Sequence, residues 1–126
     1  MALTSTAPFS AAITSVTVLQ TAASNLADGD ITGGANLTLT TIELDGATNT
    51  TVNTVYLKFY DTGAPVVGTT DPDMVVPMAA NTRGAFQISG GGHTFVNAIS
   101  MACVQEGGTA GTTNPTVSVI VRVTSE

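Results

Sequence analysis

The chain carries one histidine, His93, and one cysteine, Cys103, so any Ser-His-Asp or Cys-His mechanism would have to use His93 as its base. His93 follows Gly90-Gly91-Gly92, which signals a loop, whereas Cys103 lies in an apolar stretch that reads as a strand. No spacing joins them. A thiol in such a stretch is expected to be buried and to behave as a small hydrophobe. Asp28-Gly29-Asp30 and Asp71-Pro72-Asp73 present hard oxygen atoms of the kind that calcium takes, but neither continues into the twelve-residue calcium loop. Turn formation explains them better, because aspartate side chains bond backbone amides a few residues on. Glu43, Asp45, Asp61 and Glu106 form no dense cluster, so they do not make the carboxylate pair of a glycosidase. The glycines are spread over loops instead of standing between a strand and a helix, and no phosphate cradle results. Asn36-Leu37-Thr38 and Asn49-Thr50-Thr51 match the glycosylation pattern, as a threonine-rich chain does by chance. The expectation is a protein without catalytic, cofactor-binding or metal-binding residues, and not an enzyme.

The elements that position these residues follow from composition. At 126 residues the chain fits one domain. Thr and Val dominate it, and β-branched side chains lose little freedom on a pleated sheet but are crowded on a helix. Residues 1–12 mix small, apolar and hydroxyl side chains around Pro8 without a period and are expected to be an N-terminal arm or frayed terminus, with a single domain over 13–126. Strand composition runs over 13–20. In 37–44 the apolar parity shifts at Thr40-Thr41, so Leu37 and Leu39 stand out of phase with Ile42 and Leu44, and a bulge there would restore one buried face.

The clearest strand is 52–61, where Val55, Leu57 and Phe59 alternate with Tyr56, Lys58 and Tyr60; the first three should face the core. Shorter strands are expected at 73–78, with Pro77 marking an edge, and at 85–89 and 99–105. The last strand, 116–123, places Val117, Val119, Val121 and Val123 on one face and Ile120 on the other. The result is an all-β fold, a β-sandwich or jelly roll of about seven to eight antiparallel strands. Gly-Thr-Thr-Asx-Pro occurs at 68–72 and again at 111–115, which reads as turn chemistry used twice in preference to a diverged internal duplication.

Charge excludes several partners. Charged residues are 10% of the chain and its net charge is −6, against about 25% charged residues in ordinary soluble domains. Lys58, Arg83 and Arg122 are the only cations, too few to neutralise a run of phosphates or to hold an anionic membrane surface. Neither nucleic acid nor a membrane is an expected partner. The first residues carry no basic group ahead of an apolar stretch, so no secretory signal is expected, and the lone cysteine suits synthesis in a reducing cytoplasm.

Val55-Tyr56-Leu57-Lys58-Phe59-Tyr60-Asp61, followed by Ala64-Pro65-Val66-Val67-Gly68-Thr69-Thr70-Asp71-Pro72 and Val75-Val76-Pro77, resembles a family of small virion proteins of tailed bacteriophages. Phe86, Phe95, Asn97-Ala98-Ile99-Ser100 and the stretch 108–115 are similar to that family's later strands and final loop, so the resemblance spans 40–124. It implies a β-sandwich module that decorates or cements capsids, or sits in tails and fibres, and it brings no enzymatic residues. The leading expectation is a capsid decoration or cement protein on the outer capsid surface, made in the host cytoplasm. Its partners would be the major capsid protein and copies of itself in a homo-oligomer, with no cofactor. The alternative is a tail or fibre module that binds a partner protein or a host glycan. The contact residues expected for either are Tyr56 and Tyr60, on the strand face opposite the core set unless they pack under a loop, Ile120, and Met1, Leu3, Pro8 and Phe9 of the arm.

Overall fold

Alternation of apolar side chains on short β-branched segments drives the chain into two sheets that bury one face against each other. The computed structural model describes residues 3–6, 15–20, 29–47 and 50–126. They hold strands β1 (Leu3–Thr6), β2 (Ser15–Gln20), β3 (Leu37–Asp45), β4 (Val55–Tyr60), β5 (Met74–Met78), β6 (Arg83–Gln87), β7 (His93–Phe95), β8 (Ser100–Val104) and β9 (Ile120–Ser125). One sheet runs β1-β2-β9-β3-β6, with β7 pairing β3 beside β6; the other is β5-β4-β8. Every pairing is antiparallel. The fold is an all-β sandwich, with no helix among the described residues, and β3 to β9 make up seven of its strands.

The expected irregularity in β3 is present. Leu39 pairs with Ser125 and Thr41 with Thr124, leaving Thr40 as the extra residue of a bulge. Its hydroxyl donates to the Thr124 carbonyl at 3.1 Å, and its own carbonyl accepts the Ile88 amide at 2.9 Å. Because of that one residue, Leu39, Ile42 and Leu44 are all fully buried despite their broken parity.

The core lies between the sheets. Val119, Val121 and Val123 join the β3 leucines and Ile42 from one side; Val55, Leu57, Phe59, Val76, Met78, Met101 and Cys103 meet them from the other. Phe59 of β4 and Phe95 of β7 bring one ring from each sheet together, with centroids 6.4 Å apart at 57°. Each fully buried side chain of this size stabilises the fold by about 1.5–3 kcal/mol relative to exposure.

Several boundaries differ from the sequence reading: β4 opens at Val55 instead of 52, and β6 runs over Arg83–Gln87 instead of 85–89. His93, expected in a loop, opens β7 and pairs with Leu39, because the three glycines before it end the turn abruptly. Gly90, Gly91 and Gly92 have φ of 74°, 87° and 104°, and a Cβ on Gly92 would lie 2.6 Å from the Leu39 carbonyl oxygen, so the chain returns to β3 where side chains cannot follow. The last strand begins at Ile120 instead of 116, although Val119 is already in the core. Within the expected arm, Leu3–Thr6 is a strand in register with Val16 to Leu19 of β2, while residues 1, 2 and 7–12 lie outside the described residues.

Candidate functional site

The fold places the nucleophile and base that the sequence offers on different sheets. His93 sits on the six-stranded sheet, its ring edge-on to Phe95 at 4.9 Å and 79°. Cys103 sits in β8 of the other sheet, 2% exposed, and burial pushes its thiol up to about 12. A thiol so shielded is inert at neutral pH.

The carboxylates tie loops down. Asp61, just past β4, accepts the amides of Asn97 at 2.6 Å, Val96 at 3.1 Å and Ala98 at 3.2 Å. These bonds, the one from Asn97 foremost, hold its carboxyl below the usual carboxylate range. Asp73 accepts the Asp61 amide at 2.7 Å, whereas Asp71 accepts the Thr109 hydroxyl at 2.7 Å, so the two members of Asp71-Pro72-Asp73 serve different segments. Asp30 accepts the Gly34 amide at 3.1 Å, closing the turn after it, and Asp28 lies outside the described residues. Among the described residues, no group of three His, Cys, Asp or Glu side chains gathers to hold a metal ion.

All three cations are engaged. Arg83 Nη2 meets Asp45 Oδ2 at 2.5 Å and Arg122 Nη1 meets Glu43 Oε1 at 3.0 Å. Both pairs belong to the outward side of the six-stranded sheet, where β9 and β6 flank β3. Lys58 is 0% exposed, although it lies on the side of β4 turned away from the core. Its ammonium donates to the carbonyls of Gly108 at 2.6 Å and Gly111 at 3.0 Å. Burial lowers its pKa, and the nearby Glu106 carboxylate opposes that shift.

The expected contact residues are divided between the sheets. Tyr60 is 1% exposed and Tyr56 is half-buried, with the backbone of Gly107 against its ring. The outward tyrosine face read from the alternation of β4 is therefore covered. Over Tyr56 and Lys58 the cover is the connection after β8, which folds back across β4, a long-range packing event that strand period cannot report. Ile120, half-buried, opens β9 in the six-stranded sheet, paired with Asp45 and Gln20. Leu3 belongs to the same sheet through β1, and Met1, Pro8 and Phe9 lie outside the described residues.

Among the described residues, the exposed large apolar side chains are Val52, Val66 and Val96, at 70%, 61% and 56%. They stand in loops, where no period marks them. An open recess of about 320 Å³ lies beside the bulge, lined by Thr40, Gln87, Ser89, Gly90, Gly91 and Glu126, without a buried charged side chain. No helix among the described residues is long and apolar enough to cross a membrane. Compared with protein-family models, curated proteins and solved structures, the chain finds no match.

Proposed function

We propose that the chain is a structural protein of a tailed-bacteriophage particle, attached to the outside of the head, where it cements neighbouring coat subunits. The observation that supports this best is the fate of the cations. Lys58 is buried on loop carbonyls, Arg83 and Arg122 are paired with carboxylates, and the net charge is −6. Such a surface is repelled by packaged DNA and suits the outside of a particle. The sandwich supplies a rigid module with loops tied down by carboxylates, and the resemblance over 40–124 supplies the setting. Contact would involve the open face of the six-stranded sheet around Ile120, together with the N-terminal segment, in a symmetric assembly.

The test is to mix the purified protein with empty heads, sediment them, and measure stoichiometry and resistance to heat. Saturable binding with raised heat resistance is the expected result. Recovery with tails and not with heads would replace the assignment by a tail or fibre module.

A further inference from the structure

The connection from β8 to β9 crosses the outward side of β4, and its manner of attachment is unusual. Residues 105–115 close on themselves: the Gln105 amide donates to the Thr113 carbonyl at 3.1 Å and the Gly111 amide to Gly108 at 3.0 Å. Glu106 accepts the Thr113 amide at 3.0 Å and also its hydroxyl. Outside contacts are polar as well, from Thr109 to Asp71 and from Asn53 to Gln105. Pro115 is the segment's one buried apolar residue, and Ala110 is exposed. At the centre stands Lys58, whose ammonium reaches up from β4 to two of the segment's carbonyls.

We infer that residues 105–115 are a strap latched over β4 by Lys58, and that this strap opens on its own while the two sheets stay folded, uncovering Lys58 and Tyr56. A segment held mainly by hydrogen bonds, with Pro115 its single buried apolar residue, belongs to the low-stability end of a protein, whereas the sheets beneath it share one core cluster. Bringing a lysine ammonium out of water costs much of what its bonds return, so it acts here by fixing one arrangement of the strap more than by adding global stability. Gly111 sets the strap's inner turn; a Cβ there would lie 2.5 Å from the Glu106 Cβ. The tyrosine side of β4 is thus a conditional surface, present when the strap is open and absent when it is closed.

Lys58 is the chain's single lysine, so its acetylation is readable by mass spectrometry without interference from another. The full chain is treated at pH 8 with an acetylating ester, natively and in urea, and the Lys58 peptide is quantified. Expected is native modification about 100-fold slower than in urea, accelerated about tenfold by Gly111→Ala, as local opening of a weakly held segment requires. In Lys58→Met, hydrogen exchange at the Gln105 and Thr113 amides should rise about tenfold while the Leu57 and Val121 amides stay protected. The inference is overturned if Lys58 in both wild type and Gly111→Ala is modified only as fast as the whole chain unfolds. It is equally overturned if native Lys58 reacts as fast as in urea. Should Lys58→Met fail to fold, the acetylation series on the lysine-containing chain decides alone.

Discussion

Asp61 shows how much one carboxylate contributes to loop order in a chain with so few charges. Its bonds to three successive amides exist in the folded chain, and they lower its pKa. Glu106 is lowered too, by Thr113 first. A carboxyl whose folded pKa is depressed contributes stability that is complete above its unfolded value of about 4 and is lost as pH falls through the folded value. The expected outcome is a melting temperature that is flat near neutrality and falls below about pH 4, the unfolded carboxylate range. Asp61→Asn should lower the plateau and make the acid limb shallower, as melting curves across pH 2–7 would reveal. An unaltered limb would show that the three amides gain nothing from the charge. Cys103 makes the opposite kind of prediction. With its thiol pushed up to about 12 and 2% exposed, it should resist iodoacetamide at pH 8 and react once urea opens the core. In the same core, Leu57→Ala should cost about 2–5 kcal/mol in a denaturant titration, the range for a fully buried leucine.

At the scale of the element, the bulge in β3 makes the sharpest claim. Deleting Thr40 would restore strict alternation, and the residues on one side of the deletion would then turn their apolar side chains outward. The deletion should therefore destabilise far more than Thr40→Ala, which keeps the residue count and loses one hydrogen bond, worth about 1 kcal/mol. Comparing the two variants by denaturant midpoint separates register from side-chain chemistry. This bulge was legible beforehand because Leu39, Ile42 and Leu44 cannot share a face without it, and the core set of β4 was legible from its period. β7 was not legible, since three residues behind three left-handed glycines carry too little pattern. Nor was the covering of Lys58 and Tyr56, for side-chain period tells which residues share a face and leaves open what a distant loop lays upon it. The two Gly-Thr-Thr-Asx-Pro stretches illustrate the same limit. They meet in space, a Cβ on Gly68 lying 2.5 Å from the Thr112 methyl group, yet Gly68 has φ of 91° and Gly111 is not left-handed. Their shared composition supports two different turns, which lead to strands in different sheets.

For the whole molecule, the asymmetry of the sandwich decides where a partner can sit. The three-stranded sheet carries the core on one side and its own strap on the other, so in the closed form it offers little new apolar area. On the outward side of β3, β6 and β9, Thr41, Glu43, Ile120, Arg122 and Thr124 are half-buried, Arg83, Ala85 and Gln87 are exposed, and Asp45 is buried. A stable contact removes about 800 Å² from each partner, which a sheet face can supply and isolated loop valines cannot. If the chain cements heads, binding should concentrate on this face. Ile120→Asp puts an unpaired charge into the middle of such a contact and should weaken head binding at least about tenfold, as loss of a central apolar residue does. Tyr56→Ser should leave binding nearly unchanged while the strap is closed. Tyr60→Ser is no test of the interface, because it removes a buried ring and lowers stability first. Removing residues 1–12 deletes β1 and leaves β2 as the sheet edge, so its effect on binding must be read beside a melting curve. The discriminating measurement is co-sedimentation of Ile120→Asp and Tyr56→Ser with empty heads at equal concentration. Retained binding by Ile120→Asp with loss in Tyr56→Ser would move the contact to the strapped sheet and require the strap to open before the head is engaged.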